Sequence, residues 1–127
     1  MTLRGRPKRE RRRHPRAITS FSAILVVSGR LYSARVINLS MGGALLDLGR
    51  LLPPPAIDAG QALLVDIRCR GGVGPLHLDA RAVTWNPDVD EVPLLSVQFG
   101  PMSDESAEIL EELMFEALYE LHGRVVG

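Results

Sequence analysis

The sequence predicts an all-β domain with a C-terminal helix: a six-stranded antiparallel β-barrel, preceded by a flexible basic arm. Three observations lead there. Residues 17 to 100 alternate apolar and polar side chains with period two, in short segments broken by Gly, Pro and Asn. Beyond Gly100-Pro101 the apolar period changes to 3.6. Residues 1 to 16, by contrast, carry eight Lys or Arg against one Glu, include Pro7 and Pro15, and have almost nothing apolar to bury. At 127 residues the chain suits one domain with a modest core. Its expected divisions are the arm at 1–16, the barrel at 17–100 and the helix at 101–127.

The elements follow in order. Phe21, Ala23, Leu25 and Val27 alternate with more polar neighbours, and Ser28-Gly29 is a tight turn into Tyr32, Ala34 and Val36, so the barrel opens with a hairpin. Residues Asn38 to Gly43 read as a turn, and Ala44-Leu45-Leu46 as a third strand. Leu51 to Gly60 contains three consecutive prolines and is a loop, because proline has no N–H to give to a ladder. Leu63, Val65, Ile67 and Cys69 form one face of the fourth strand, with Cys69 inside as a small apolar residue. Leu76, Leu78, Ala80 and Ala82 do the same in the fifth, and Leu95, Val97 and Phe99 in the sixth. Closing these strands hides the edges that a small open sheet exposes. Ser103 is the predicted N-cap of the helix, with Asp104 and Glu105 at the positive end of its dipole. Leu110, Leu113, Met114, Ala117, Leu118 and Leu121 fall on one face, which covers a mouth of the barrel or a partner, and the helix is expected to end near His122-Gly123.

Fifteen basic and fifteen acidic residues cancel overall, yet the charges are separated along the chain. The arm is basic, whereas residues 103 to 122 hold seven Asp or Glu and no Lys or Arg. The lone cysteine makes no internal disulfide, and no apolar run approaches the roughly 20 residues of a membrane helix, so a cytoplasmic protein with no membrane association is expected. No Ser/His/Asp grouping, paired carboxylate or phosphate loop followed by Lys is present, which argues against an enzyme and leaves no catalytic residue to name. The three histidines are scattered, and no metal is expected.

Two short patterns carry the chemistry. Arg12 and Arg16 have the spacing Arg-x-x-x-Arg, and Asn38, Ser40 and Gly43 the spacing Asn-x-Ser-x-x-Gly. Each alone is weak: a basic arm is most often a solvated tail, and a Gly-containing turn most often a connection. In this order and setting they resemble the two signature motifs of the PilZ family, bacterial receptors for the second messenger cyclic di-GMP. The predicted six strands and trailing helix are similar to that family's barrel, so the resemblance covers nearly the whole chain.

The resemblance implies cyclic di-GMP as ligand, with no cofactor, held between arm and barrel and signalled onward to a downstream protein partner. Arginine suits such a ligand, because its fixed fork grips phosphate oxygens or the O6 and N7 edge of guanine. Arg12 and Arg16 are the expected clamps, with Arg11 and Arg13 adding phosphate contacts. By resemblance Asn38 presents its amide to a guanine edge, Ser40 bonds near the same base or a phosphate, and Gly43, preceded by Gly42, lets the backbone approach. Trp85, at the end of the fifth predicted strand, matches a position where some single-domain relatives place an aromatic beside the ligand. Two other functions remain open: a nucleotide-independent adaptor of a pilus, flagellar or polysaccharide machine, and weak nucleic-acid binding by the arm.

Overall fold

The computed structural model describes residues 17–19, 21–51, 53–68, 74–87 and 93–126. Its strands are β1 (Ala17–Ile18), β2 (Ser22–Val27), β3 (Arg30–Leu39), β4 (Gly43–Asp47), β5 (Ala62–Arg68), β6 (Leu76–Trp85) and β7 (Leu94–Phe99), followed by helix α1 (Asp104–Val126). All pairings are antiparallel, in the order β1-β3-β2-β5-β6-β7-β4, and β4 returns to pair with β3. The circuit β2-β5-β6-β7-β4-β3 is therefore a closed six-stranded barrel, as the period-two pattern predicts. The seventh segment, β1, is an addition: it lies beside the end of β3, outside the circuit.

Alternation decides what fills the barrel. Ala23, Leu25, Val36, Leu46, Val65, Ile67, Leu76, Leu78, Leu95 and Val97 are all buried, while their strand neighbours face outward. The β2–β3 turn is the predicted two-residue one: Ser28 and Gly29 have φ of 51° and 80°, and Val27 pairs with Arg30. Positive φ at both central residues lets the turn follow the right-handed twist of its strands. The loop before β5 is also as expected, and Ile57 and Pro55 tuck into the fold from it. Cys69 lies outside the described residues.

Two strands depart from plain alternation. In β3 the register against β4 shifts between Val36 and Asn38, leaving Ile37 as an extra residue. Val36 and Leu39, three apart, are consequently both buried. In β6 the register against β7 shifts between Ala82 and Thr84, so Val83 is the extra residue there. Such bulges bend and twist a strand, which a sheet this narrow needs in order to close.

Helix α1 begins as the sequence indicates. The Ser103 hydroxyl accepts the N–H of Ser106 at 3.1 Å, satisfying a donor that the first turn leaves free. It runs to Val126 rather than stopping near His122-Gly123, because a single glycine does not end a helix whose other residues favour it. Leu110, Leu113 and Ala117 join the barrel interior in one cluster, and α1 lies against β1 and β6, so the apolar stripe covers the barrel. The stripe is narrower than predicted, since Leu118 is 40% exposed. No helix among the described residues is long and apolar enough to cross a membrane.

The same packing separates two neighbouring side chains of α1. Leu113 is fully buried and Phe115 is 72% exposed. Leu113→Ala is expected to cost about 2–5 kcal/mol of unfolding free energy, and Phe115→Ala less than about 0.5 kcal/mol, in urea titrations followed by circular dichroism.

Candidate functional site

The β3–β4 connection carries the Asn-x-Ser-x-x-Gly pattern, and it is tighter than a six-residue turn. Asn38 and Leu39 are the last residues of β3 and Gly43 the first of β4, so only residues 40 to 42 lie between the strands. The Ser40 N–H donates to the Gly43 carbonyl at 2.9 Å. The Ser40 hydroxyl accepts the N–H groups of Gly42 and Gly43, both at 3.2 Å, and donates to the Gly43 carbonyl at 3.3 Å. A hydroxyl has one donor and two acceptor lone pairs, and all three are used inside the turn. Ser40 is also buried, the only polar residue in the core of the described chain. Its position makes it the staple of this turn, beyond the ligand-bonding role that the resemblance implies.

Gly43 is needed for space rather than for an unusual backbone angle. It is not among the residues with positive φ. A Cβ at this position would run into the Val97 carbonyl and approach the Gln98 Cα to 3.3 Å, so the glycine lets β4 and β7 come together. Gly42 adds to the same seam, its carbonyl accepting the Phe99 N–H at 2.9 Å.

Asn38 owes its position to the bulge. Without the extra Ile37, strict alternation would send Asn38 into the barrel with Val36; the shift instead buries Leu39 and leaves Asn38 half-buried on the opposite face. Its amide makes no hydrogen bond among the described residues.

The entry of the chain lies at the same place. Ala17 is in register with Leu39 and Ile18 with Asn38. Thr19 secures the break between β1 and β2: its hydroxyl donates to the Val36 carbonyl at 2.7 Å and accepts the Phe21 N–H at 3.0 Å, while its own N–H reaches the Ile37 carbonyl at 3.2 Å. Sequence reasoning overlooks Thr19. The signal it offers is a polar β-branched residue where the apolar alternation has not yet begun.

Arg11, Arg12, Arg13 and Arg16 lie outside the described residues. Covalent geometry still bounds them. Arg16 is bonded directly to Ala17, and Arg12, five residues before Ala17, lies within roughly 18 Å of it however extended the chain. Trp85 is not brought to the turn. It pairs with Leu95, and Leu95 with Leu46, three residues or about 10 Å along β4 from Gly43. Its indole N–H donates to the Pro55 carbonyl at 2.9 Å, holding the proline loop. Among the described residues no group of three or more His, Cys, Asp or Glu is placed to hold a metal ion.

The folds of known proteins match this arrangement. The PilZ domain of YcgR from Escherichia coli, solved with c-di-GMP, is similar at a TM-score of 0.74 and 21% identity, over 91% of this chain and 97% of that one. YcgR from Escherichia coli in complex with c-di-GMP aligns at 0.69 and 21% identity, over 91% and 49%. The K. pneumonia MrkH–c-di-GMP complex aligns at 0.69 and 16% identity, over 89% and 55%. The present chain thus spans about half the length of those last two proteins. No curated protein sequence matches it.

Two substitutions separate the structural roles in the turn. Gly43→Ala is expected to lower stability by about 1–3 kcal/mol, since the obstructing atom is backbone. Ser40→Ala is expected to cost about 1–3 kcal/mol by leaving the Gly42 and Gly43 amides without their acceptor. Thermal melts of the two variants check both. With the barrel, the capping helix and the motif-bearing turn in place, and the PilZ domain model matching residues 10–116, the chain belongs to the PilZ domain family.

Proposed function

We propose that this protein is a receptor for cyclic di-GMP that binds the dinucleotide between its N-terminal arm and the outer face of the barrel and relays binding to a protein partner. The observation that carries this reading is the pairing of Ala17 with Leu39. It anchors the arginine segment one residue from the strand end that leads into the Ser40 to Gly43 turn. Arg12 and Arg16 then act as clamps on phosphate and guanine, with Arg11 and Arg13 as added phosphate contacts. Asn38 supplies an uncommitted amide for a guanine edge. Ser40, Gly42 and Gly43 hold the turn in the shape the ligand meets. The relatives solved with c-di-GMP support the choice of ligand.

A second reading, an adaptor that binds its partner without nucleotide, is favoured by one observation. Phe115 is 72% exposed on the outward face of α1, with Glu108, Glu111 and Glu112 exposed on the same helix. An aromatic side chain held in solvent is a common anchor for a protein partner.

Isothermal titration calorimetry on the full chain is expected to give micromolar or tighter binding of cyclic di-GMP, no measurable binding of GTP, and affinity that falls with salt. Arg12→Ala is expected to weaken binding roughly 10- to 100-fold, the value of one charge-assisted contact, at unchanged melting temperature. Absence of binding by the native chain, with partner association that ignores the nucleotide, would favour the adaptor instead.

A further inference from the structure

We propose that Gln98 is a further nucleotide-contacting residue, lying on β7 beside the turn and outside both sequence motifs. The inference rests on the cyclic di-GMP reading and adds a contact to the same site. Gln98 pairs with Gly43, and the flanking Phe99 N–H is bonded to the Gly42 carbonyl, so its position beside the turn is fixed by backbone. Val97 and Phe99 are buried, which directs the exposed Gln98 to the outer face. Gly43 puts no side chain in front of it.

Asn38 reaches the same surface from the other side. It pairs with Leu45, and Leu45 with Ser96, two residues from Gln98 on β7. Asn38 therefore lies beside Leu45 and Gln98 beside Gly43, two residues along β4, on strands about 10 Å apart across β4.

Gln98 is the long polar side chain here with its hydrogen-bonding groups uncommitted. Arg81, next across β6, turns its guanidinium to the Gly60 carbonyl at 2.9 Å, on the β5 side and away from the turn. Arg35, on β3, is paired with Asp47 at 3.2 Å. The Gln98 amide makes no hydrogen bond among the described residues. A carboxamide sets a donor and an acceptor side by side, the complement of the adjacent O6 acceptor and N1–H donor of guanine.

Calorimetry with cyclic di-GMP on the native chain, Gln98→Ala and Gln98→Glu, with thermal melts of all three, tests the assignment. Gln98→Ala is expected to raise Kd about 3- to 10-fold, the loss of one neutral hydrogen bond. Gln98→Glu is expected to raise it further, because it removes the donor and adds a negative charge beside two phosphates. Melting temperatures should stay within about 2 °C of native, as the side chain holds nothing in the free protein. Native binding with both variants within twofold of it overturns the role of Gln98 and leaves the receptor reading standing. A native chain that binds no cyclic di-GMP overturns both.

Discussion

The end of β3 is paired on both sides at once, and the rest of the site depends on that. Asn38 and Leu39 face Ile18 and Ala17 of β1 on one side and Leu45 and Ala44 of β4 on the other. Earlier in β3, the place of β1 is taken by β2. The exchange of one neighbour for the other is managed by Thr19, whose hydroxyl and N–H reach the Val36 and Ile37 carbonyls, at the bulge itself. A slip of one residue here would exchange the inner and outer faces of the strand, burying Asn38 and exposing Leu39. The fully buried Leu39 and Val36 oppose it.

The motif residues consequently divide by task. Ser40 and Gly43 are committed to architecture: one saturates its hydroxyl within the turn, the other removes a side chain from the β4–β7 contact. Asn38, on the outer face, has an amide that makes no hydrogen bond among the described residues. A strand end and a stapled turn hold these polar groups in fixed positions.

Helix α1 divides its faces in a similar way. Leu110, Leu113 and Ala117 complete the core, and the opposite face presents carboxylates around Phe115. Because α1 lies against β1, which pairs with the end of β3, the helix and the motif-bearing strand end share a structural neighbour.

The sequence by itself determined most of the architecture. Period-two alternation identified the six barrel strands and most of the side chains that fill them, Ser28-Gly29 the hairpin turn, and Ser103 with the apolar spacing from Leu110 the capped helix. These are local properties, written within a few residues of where they act. The membership of Asn38 in a strand, the bulge at Ile37, the added β1, the confinement of Ser40 to its own turn and the separation of Trp85 from that turn were decided only by the tertiary structure. Register is the reason: which residue lies opposite which depends on partners distant in the chain. A single extra residue, Ile37, redirects the side chains of Asn38 and Leu39 at the end of β3.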